Sequence, residues 1–305
     1  MNTSSKRFWA ALLTCSALLS STLAAPAQRR GPDNRTLNED ENRTLRWDPP
    51  DVDAPLHSRG SSQPCVLSSV LEQAGARANA LIANLQNFTA QERIEYQNLG
   101  HLFHLAESDV GTFDYTVTFE QHKENVEVQE GRTPRRGSHA FPAGIQDVGL
   151  PAIALLFLPE FQGDYEMSCE GATEWRHHPA WLVHFQQRDD KPVRTVSFSA
   201  KDGPRPAKLK GRAWIAQDSS NFGEIMHLET SLTEPMPAIG VRNWYLSIEY
   251  APVQFRSQKV RVWLPRAADA YCDFGDHRTI IYHTFTNFLL FSVQTDQVID
   301  KPKTP

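Results

Sequence analysis

Beyond its first 27 residues the chain has no apolar run approaching the ~20 residues that a membrane-spanning helix needs. It also lacks a surplus of positive charge. The 31 Lys and Arg face 36 Asp and Glu, a net charge of −5, which argues against nucleic acid or an anionic bilayer surface as a partner held by the overall field. Cysteine is scarce, four in 305 residues, and no Cys-x-x-Cys pair occurs. There is no Gly-x-Ser-x-Gly elbow, no His-Glu-x-x-His and no Gly-rich phosphate loop, so the common catalytic signatures are missing and no cofactor is expected. Repeats are missing too. Asn34-Arg35-Thr36-Leu37 echoes as Asn42-Arg43-Thr44-Leu45 with no longer period behind it, which excludes a solenoid.

What is present begins with an export signal. Lys6 and Arg7, the apolar run Phe8 to Leu23 and then Ala25-Pro26-Ala27 follow the order of a secretory signal peptide, residues 1–27, with cleavage expected after Ala27. Polar Thr14, Ser16, Ser20, Ser21 and Thr22 interrupt the run and argue against an anchor, and Thr14 is a poor predecessor for a lipidated Cys15. Removing these residues takes away two bases and no acid, so the mature charge is −7. Export places the mature chain in the periplasm or outside the cell, with outer-membrane association compatible with either.

Residues 28–63 mix both charge signs with Pro32, Pro49, Pro50 and Pro55 and hold too few apolar side chains to repay ordering, so they are expected to be a disordered linker. Asn34, Asn42 and Asn87 open N-x-[ST] triplets, which matter only in a host that glycosylates exported proteins. A domain is expected over 64–300, with 301–305 as a tail. It opens on a helix: Ser61 or Ser62 is placed to cap it, Pro64 suits its first turn, and Leu67, Val70, Leu71, Ala74, Ala78, Leu81, Ile82 and Leu85 make one apolar stripe.

After the helix the period changes to two. Alternating segments run through Tyr115 to Phe119 with Val126 and Val128, Tyr165 to Cys169, Trp181 to Phe185 and Arg194 to Phe198. Further ones are Leu209 to Ala216, Ile225 to Leu232, Trp244 to Tyr250, Lys259 to Leu264, Thr279 to Phe285 and Leu289 to Thr295. Pro151 to Leu158 fits a buried strand or a helical turn. Residues 131–144, with Arg132, Arg135 and Arg136, read as a solvated basic loop. The class is α+β, mainly β: a large curved antiparallel sheet of about eleven strands, an open half-barrel wrapped on one long N-terminal helix. Its concavity either holds a hydrophobic ligand or is filled by its own side chains.

Helix and strands together resemble a known group. A helix ending in Leu85-Gln86-Asn87-Phe88-Thr89-Ala90, then strands that include Gly211-Arg212-Ala213-Trp214-Ile215 and Ile225 to Leu232, resemble the LolA-like superfamily of periplasmic lipoprotein carriers and sensor domains. Within it, exported proteins of soil bacteria share Asn87-Phe88-Thr89-Ala90, Cys169-Glu170-Gly171, Trp214-Ile215 and His283-x-Phe285-x-Asn287-Phe288. The resemblance covers roughly Cys65 to Gln297. It implies a non-catalytic binding role, with acyl chains of a lipid or lipoprotein in the half-barrel. The lining expected here is Leu81, Leu85, Trp214, Trp244, Leu246 and Ile248. An envelope-complex module with a filled core, partnered by another envelope protein, is the alternative.

Catalytic and metal-binding groupings are weaker. His101 and His104 stand i, i+3 without identifiable third and fourth ligands. Glu170 and Glu174 with Asp273 and Asp276 offer carboxylates for hydrolysis, in turn-like contexts where acids serve the backbone. Cys65, Cys169 and Cys272 remain in the mature chain, so one thiol stays out of any pairing. Because Cys65 opens a helix, Cys169 with Cys272 is the expected bridge. A Cys169 nucleophile with His184 as base is the minor alternative.

Overall fold

The computed structural model describes residues 12–13, 48–55, 64–85, 87–100, 104–122, 125–138, 150–151, 153–200, 203–255 and 260–290. Apart from Leu12–Leu13 (β1), a two-residue strand parallel to residues 197–198, the expected signal peptide lies outside them, as do the tail and Cys15.

Helix α1 runs Leu67–Asn84 and buries Val70, Ala74, Gly75, Ala78 and Ile82, the stripe spaced at three and four residues. Its N-cap is Val66 and carries no side-chain bond. The expected serine caps lie outside the described residues, and Pro64 precedes the helix rather than opening its first turn.

The strands are β2 (Asn87–Leu99), β3 (Leu105–His122), β4 (Asn125–Pro134), β5 (Tyr165–Trp175), β6 (His178–Gln187), β7 (Ser197–Ala200), β8 (Gly203–Pro206), β9 (Leu209–Ala216), β10 (Ile225–Leu232), β11 (Asn243–Phe255), β12 (Val260–Asp273) and β13 (Arg278–Leu290). Ten of them form one antiparallel sheet in the order β4-β3-β2-β13-β12-β11-β10-β9-β6-β5. It does not close, and β7 and β8 form a small hairpin sheet with β1. This is the mainly β architecture with one long N-terminal helix that the periodicity predicts.

Three details differ. β2 and the first half of β3 carry no clear alternation in the sequence, yet they pair over their whole length. The segments Thr279 to Phe285 and Leu289 to Thr295 are not two strands. Described through Leu290, they are one strand, β13, whose register with β2 shifts between Thr286 and Leu289 near the positive-φ residue Asn287. Arg132 is not in a solvated loop but in β4, with its side chain 2% exposed.

Alternation sorts each strand onto two faces. On the α1 side, Leu209, Ala213 and Ile215 of β9 join Leu228 and Leu232 of β10 and Trp244, Leu246 and Ile248 of β11 in the main core. Gly211 opens that face of β9. A Cβ there would stand 2.6 Å from the Phe185 ring and 2.9 Å from Thr230 Cα, so the β9–β10 approach requires glycine. The 3-10 turn Ile153–Phe157, wholly buried, and the short helix Pro159–Gln162 fill the space beside α1. Gln162 Nε2 donates to Leu71 O (2.9 Å) and Phe157 O (2.7 Å), tying them together.

The opposite face is covered in part by residues 48–55, a correction to the disordered linker. Val52 is buried among Leu99, Tyr245, Tyr271 and Ile280. Asp48 accepts from Arg278 (2.8 Å), and Asp53 bonds His184 (3.0 Å) and Lys210. Low hydrophobicity measures what a segment can bury within itself, and this one borrows a socket from the sheet. The rest of 28–63 lies outside the described residues.

The disulfide joins Cys65 and Cys169, with Cα atoms 6.3 Å apart. The expected Cys169–Cys272 bridge is wrong for a reason of topology. Cys169 is on edge strand β5 and Cys272 on β12, five strands away in the sheet order. At about 4.8 Å per strand that separation far exceeds the roughly 4.4–6.8 Å a bridge spans. Cys65 lies in the segment ahead of α1 and reaches the edge strand, and Cys272 keeps a buried thiol.

Candidate functional site: a cleft between helix α1 and strand β12

The register of the sheet creates the cleft. Pairing between β12 and β13 ends at Ala267 with Thr284. From there β12 continues alongside β11 to Val260, and β13 continues alongside β2 to Leu290. A β-bulge between Glu249 and Tyr250 turns β11 and β12 at the same level. The C-terminal half of α1 lies against the stretch of β12 that has parted from β13, and between them is a cavity of about 180 Å³.

Its floor is apolar, with Ala78 and Leu81 from α1, Ile225 from β10, and Val262 and Leu264 from β12. Its rim is charged. Arg77, the α1 residue just off the apolar stripe, stands 3.4 Å from Glu224, and its Nε donates to Phe222 O at 3.0 Å. Arg261 comes from β12 and donates to Asn221 Oδ1 at 3.1 Å. Burial pushes the Glu224 carboxyl up to about 7 against the opposing pull of Arg77 and Arg261. The rim therefore carries two cations beside an acid that keeps its proton to higher pH than an ordinary carboxyl. Tyr250, 5% exposed, also lines the cavity, with its hydroxyl fully buried and without a hydrogen-bond partner among the described residues. Burial pushes that hydroxyl far above the usual tyrosine range, so it remains a donor.

Of the expected lining, only Leu81 reaches this cavity. Leu85, Trp244, Leu246 and Ile248 are on the correct side of the sheet but are core, each no more than 1% exposed. Trp214 is on the other face, clustered with Ala180, Leu182, Ala216 and Met226. The period-2 alternation within β9 separates Trp214 from Ala213 and Ile215. Arg77, Glu224, Tyr250 and Arg261 were not anticipated. The available signals were a tyrosine among the apolar residues of β11 and an arginine bordering the helix stripe.

A second polar group is buried on the α1 side, in β2, β4 and β13. Arg132 donates to both oxygens of Glu92 (2.6 and 3.0 Å), lies 3.7 Å from Glu130, and stacks 5.0 Å from the Tyr115 ring. His283 Nδ1 is 2.8 Å from Glu92 Oε1. Burial alone would raise the Glu92 carboxyl, but Arg132 and His283 outweigh it and hold it down at about 2.

The other candidates do not converge. Glu170 is held by Arg212 at 2.5 and 2.8 Å, on the opposite side of the sheet order from Asp273, which accepts from the turn N–H of Gly275, and from Asp276, which pairs with His277. Cys169 is in the disulfide and offers no thiolate to His184. His227 stacks on Trp175 with ring centroids 3.6 Å apart. His101 lies outside the described residues, and among those described no three or more His, Cys, Asp or Glu gather as a metal site.

No protein-family model matches the sequence, and no curated protein matches it. Solved structures do match at low identity. A DUF1329 family protein from Desulfovibrio piger is 7% identical with a TM-score of 0.42, the match covering 75% of this chain and 95% of that one. A putative outer membrane lipoprotein-sorting protein domain from Vibrio parahaemolyticus is 9% identical with a TM-score of 0.39, covering 74% and 95%. A LolA superfamily protein from Nitrosomonas europaea is 13% identical with a TM-score of 0.33, covering 78% and 99%. The structural matches of this chain are thus to LolA-superfamily, lipoprotein-sorting and DUF1329 proteins, and at these scores they carry no ligand or partner over to it.

Proposed function

We propose that this chain is an exported, non-catalytic binding protein that takes the apolar chain of a lipid or a lipoprotein into the cleft between α1 and β12. The observation that carries the proposal is the parting of β12 from β13 beyond Ala267 and Thr284, beside an apolar-floored cavity with Arg77 and Arg261 at its rim. A cavity of about 180 Å³ is smaller than the roughly 300–1,000 Å³ of most ligand sites. The cleft as it stands admits part of one chain. A larger anchor requires α1 to shift from the sheet.

The test is binding of a fluorescent fatty acid by the exported protein, together with native mass spectrometry of protein purified from its host envelope. Leu81→Trp fills the cavity and is expected to abolish binding. No co-purifying lipid and no fatty-acid binding would remove the proposal.

A second reading has its own support. Leu85, Trp244, Leu246 and Ile248 fill the concavity, as befits an interaction module of an envelope complex. On that reading the protein binds no lipid and is recovered with a protein partner after cross-linking in cells.

A further inference from the structure

We infer that the ligand of this cleft is a single-chain amphiphile with an anionic, oxygen-rich head, held with its head at Arg261 and Arg77 on the rim and its chain along Leu81 and Leu264. The inference deepens the binding proposal and rests on it. Two independent features of the cavity select this chemistry.

The first is size. A volume of about 180 Å³ leaves no room for two or three chains side by side while α1 stays on the sheet. The second is charge. Arg77 and Arg261 stand at the rim, from different elements, and Arg77 is 41% exposed while its partner Glu224 is 15% exposed beneath it. A guanidinium pair over a shielded acid presents donors outward, and five-donor guanidinium groups match carboxylate and phosphate oxygens.

The carboxylate of a free fatty acid and the phosphate of an alkyl phosphate share this head chemistry, and they are separable by experiment. Isothermal titration of the exported protein would use dodecanoate, dodecyl phosphate, dodecanol and dodecyltrimethylammonium, each below its aggregation concentration. The expected result is that at least one anion binds about tenfold or more tighter than the alcohol and the cation, and the tighter anion identifies the head. Arg261→Gln is expected to cut that advantage to about threefold. Unchanged far-UV circular dichroism and melting would show that the variants fold.

If the alcohol or the cation binds as tightly as both anions, and Leu81→Trp abolishes all binding, the head assignment is overturned while the cleft stands. Anion binding that survives Leu81→Trp and is lost in Arg261→Gln is surface ion attraction and overturns both. Failure of all four probes overturns the cleft itself.

Discussion

Glu92 on β2 and Arg132 on β4 meet across the intervening strand β3, joined by two hydrogen bonds and exposed by 0% and 2%. With Glu130 beside Arg132 and His283 on Glu92, the group holds two carboxylates, one guanidinium and one imidazole in a dry setting. A carboxylate whose pKa is held at about 2 only accepts, so His283 donates from Nδ1. Breaking such a pair costs far more than the pair itself is worth, because it strands a buried charge.

Glu92→Gln is therefore expected to destabilise by about 3–5 kcal/mol, and Arg132→Met by more, because it strands the Glu92 and Glu130 carboxylates together. Urea unfolding at pH 7 measures this. The depressed carboxyl also sets an acid limit. Its folded value near 2 lies below the ordinary 4.5, so its contribution is complete above about pH 4.5 and is lost as pH falls toward 2. Over that window the loss is about 3 kcal/mol, and a Glu92→Gln protein should show a flatter acid limb.

The same residues explain what could be read from the sequence. β9 and β10 fall at the residues predicted, because Ala213, Ile215 and Leu228 alternate cleanly with polar or outward neighbours. β2 was hidden because the inward set Phe88, Ala90, Glu92, Ile94 and Tyr96 contains a charge at its centre, and Arg132 looked like part of a solvated loop for the same reason. Each residue makes sense only once the other is opposite it, some forty positions away. Sequence periodicity detects apolar faces, and a buried ion pair counts as two interruptions. The cleft was illegible on different grounds. It arises where β12 and β13 stop pairing, which is a matter of register rather than composition.

The docked segment at residues 48–55 should behave as a latch of measurable strength. Val52 is 1% exposed in its socket. Val52→Asp puts an unpaired charge there and is expected to release the segment, speeding proteolysis near Pro49 and Pro50 and raising the exchange of Tyr245 and Tyr271 amides. The ion pairs of Asp48 with Arg278 and of Asp53 with Lys210 are partly exposed and should contribute only about 0–1 kcal/mol each. If fatty-acid binding is unchanged in Val52→Asp, the latch and the cleft are independent, as their opposite faces predict.

Cys65 and Cys169 close a loop of 104 residues. In the chain-entropy picture a loop of about 100 residues is worth at most about 4.7 kcal/mol, and 2–4 is typical. Replacing both with serine should lower stability by that amount and loosen α1 first, since Cys65 anchors the segment leading into it. Reduction of the native protein should match the double variant in its melting temperature. Cys272, buried on β12, should react with a thiol reagent only at the rate of global unfolding. Rapid labelling of the folded protein would contradict its placement.

Glu224 gives the opposite pH signature to Glu92, and the two are separable. Its folded value near 7 lies above the ordinary 4.5, so between those values the folded state holds more proton than the unfolded one, and stability declines as pH rises. The stabilisation is complete below about pH 4.5 and gone above about 7, a difference of about 2–3 kcal/mol allowing for the partial exposure of Arg77 beside it. Glu224→Gln should remove that decline, leaving the variant more stable than the native protein at pH 8 and close to it at pH 4.5. Stability measured by urea at both pH values checks the sign. If the native protein gains stability between pH 5 and 8 and Glu224→Gln does not change the trend, the carboxyl is not desolvated under α1. The cleft would then be more open than its lining implies.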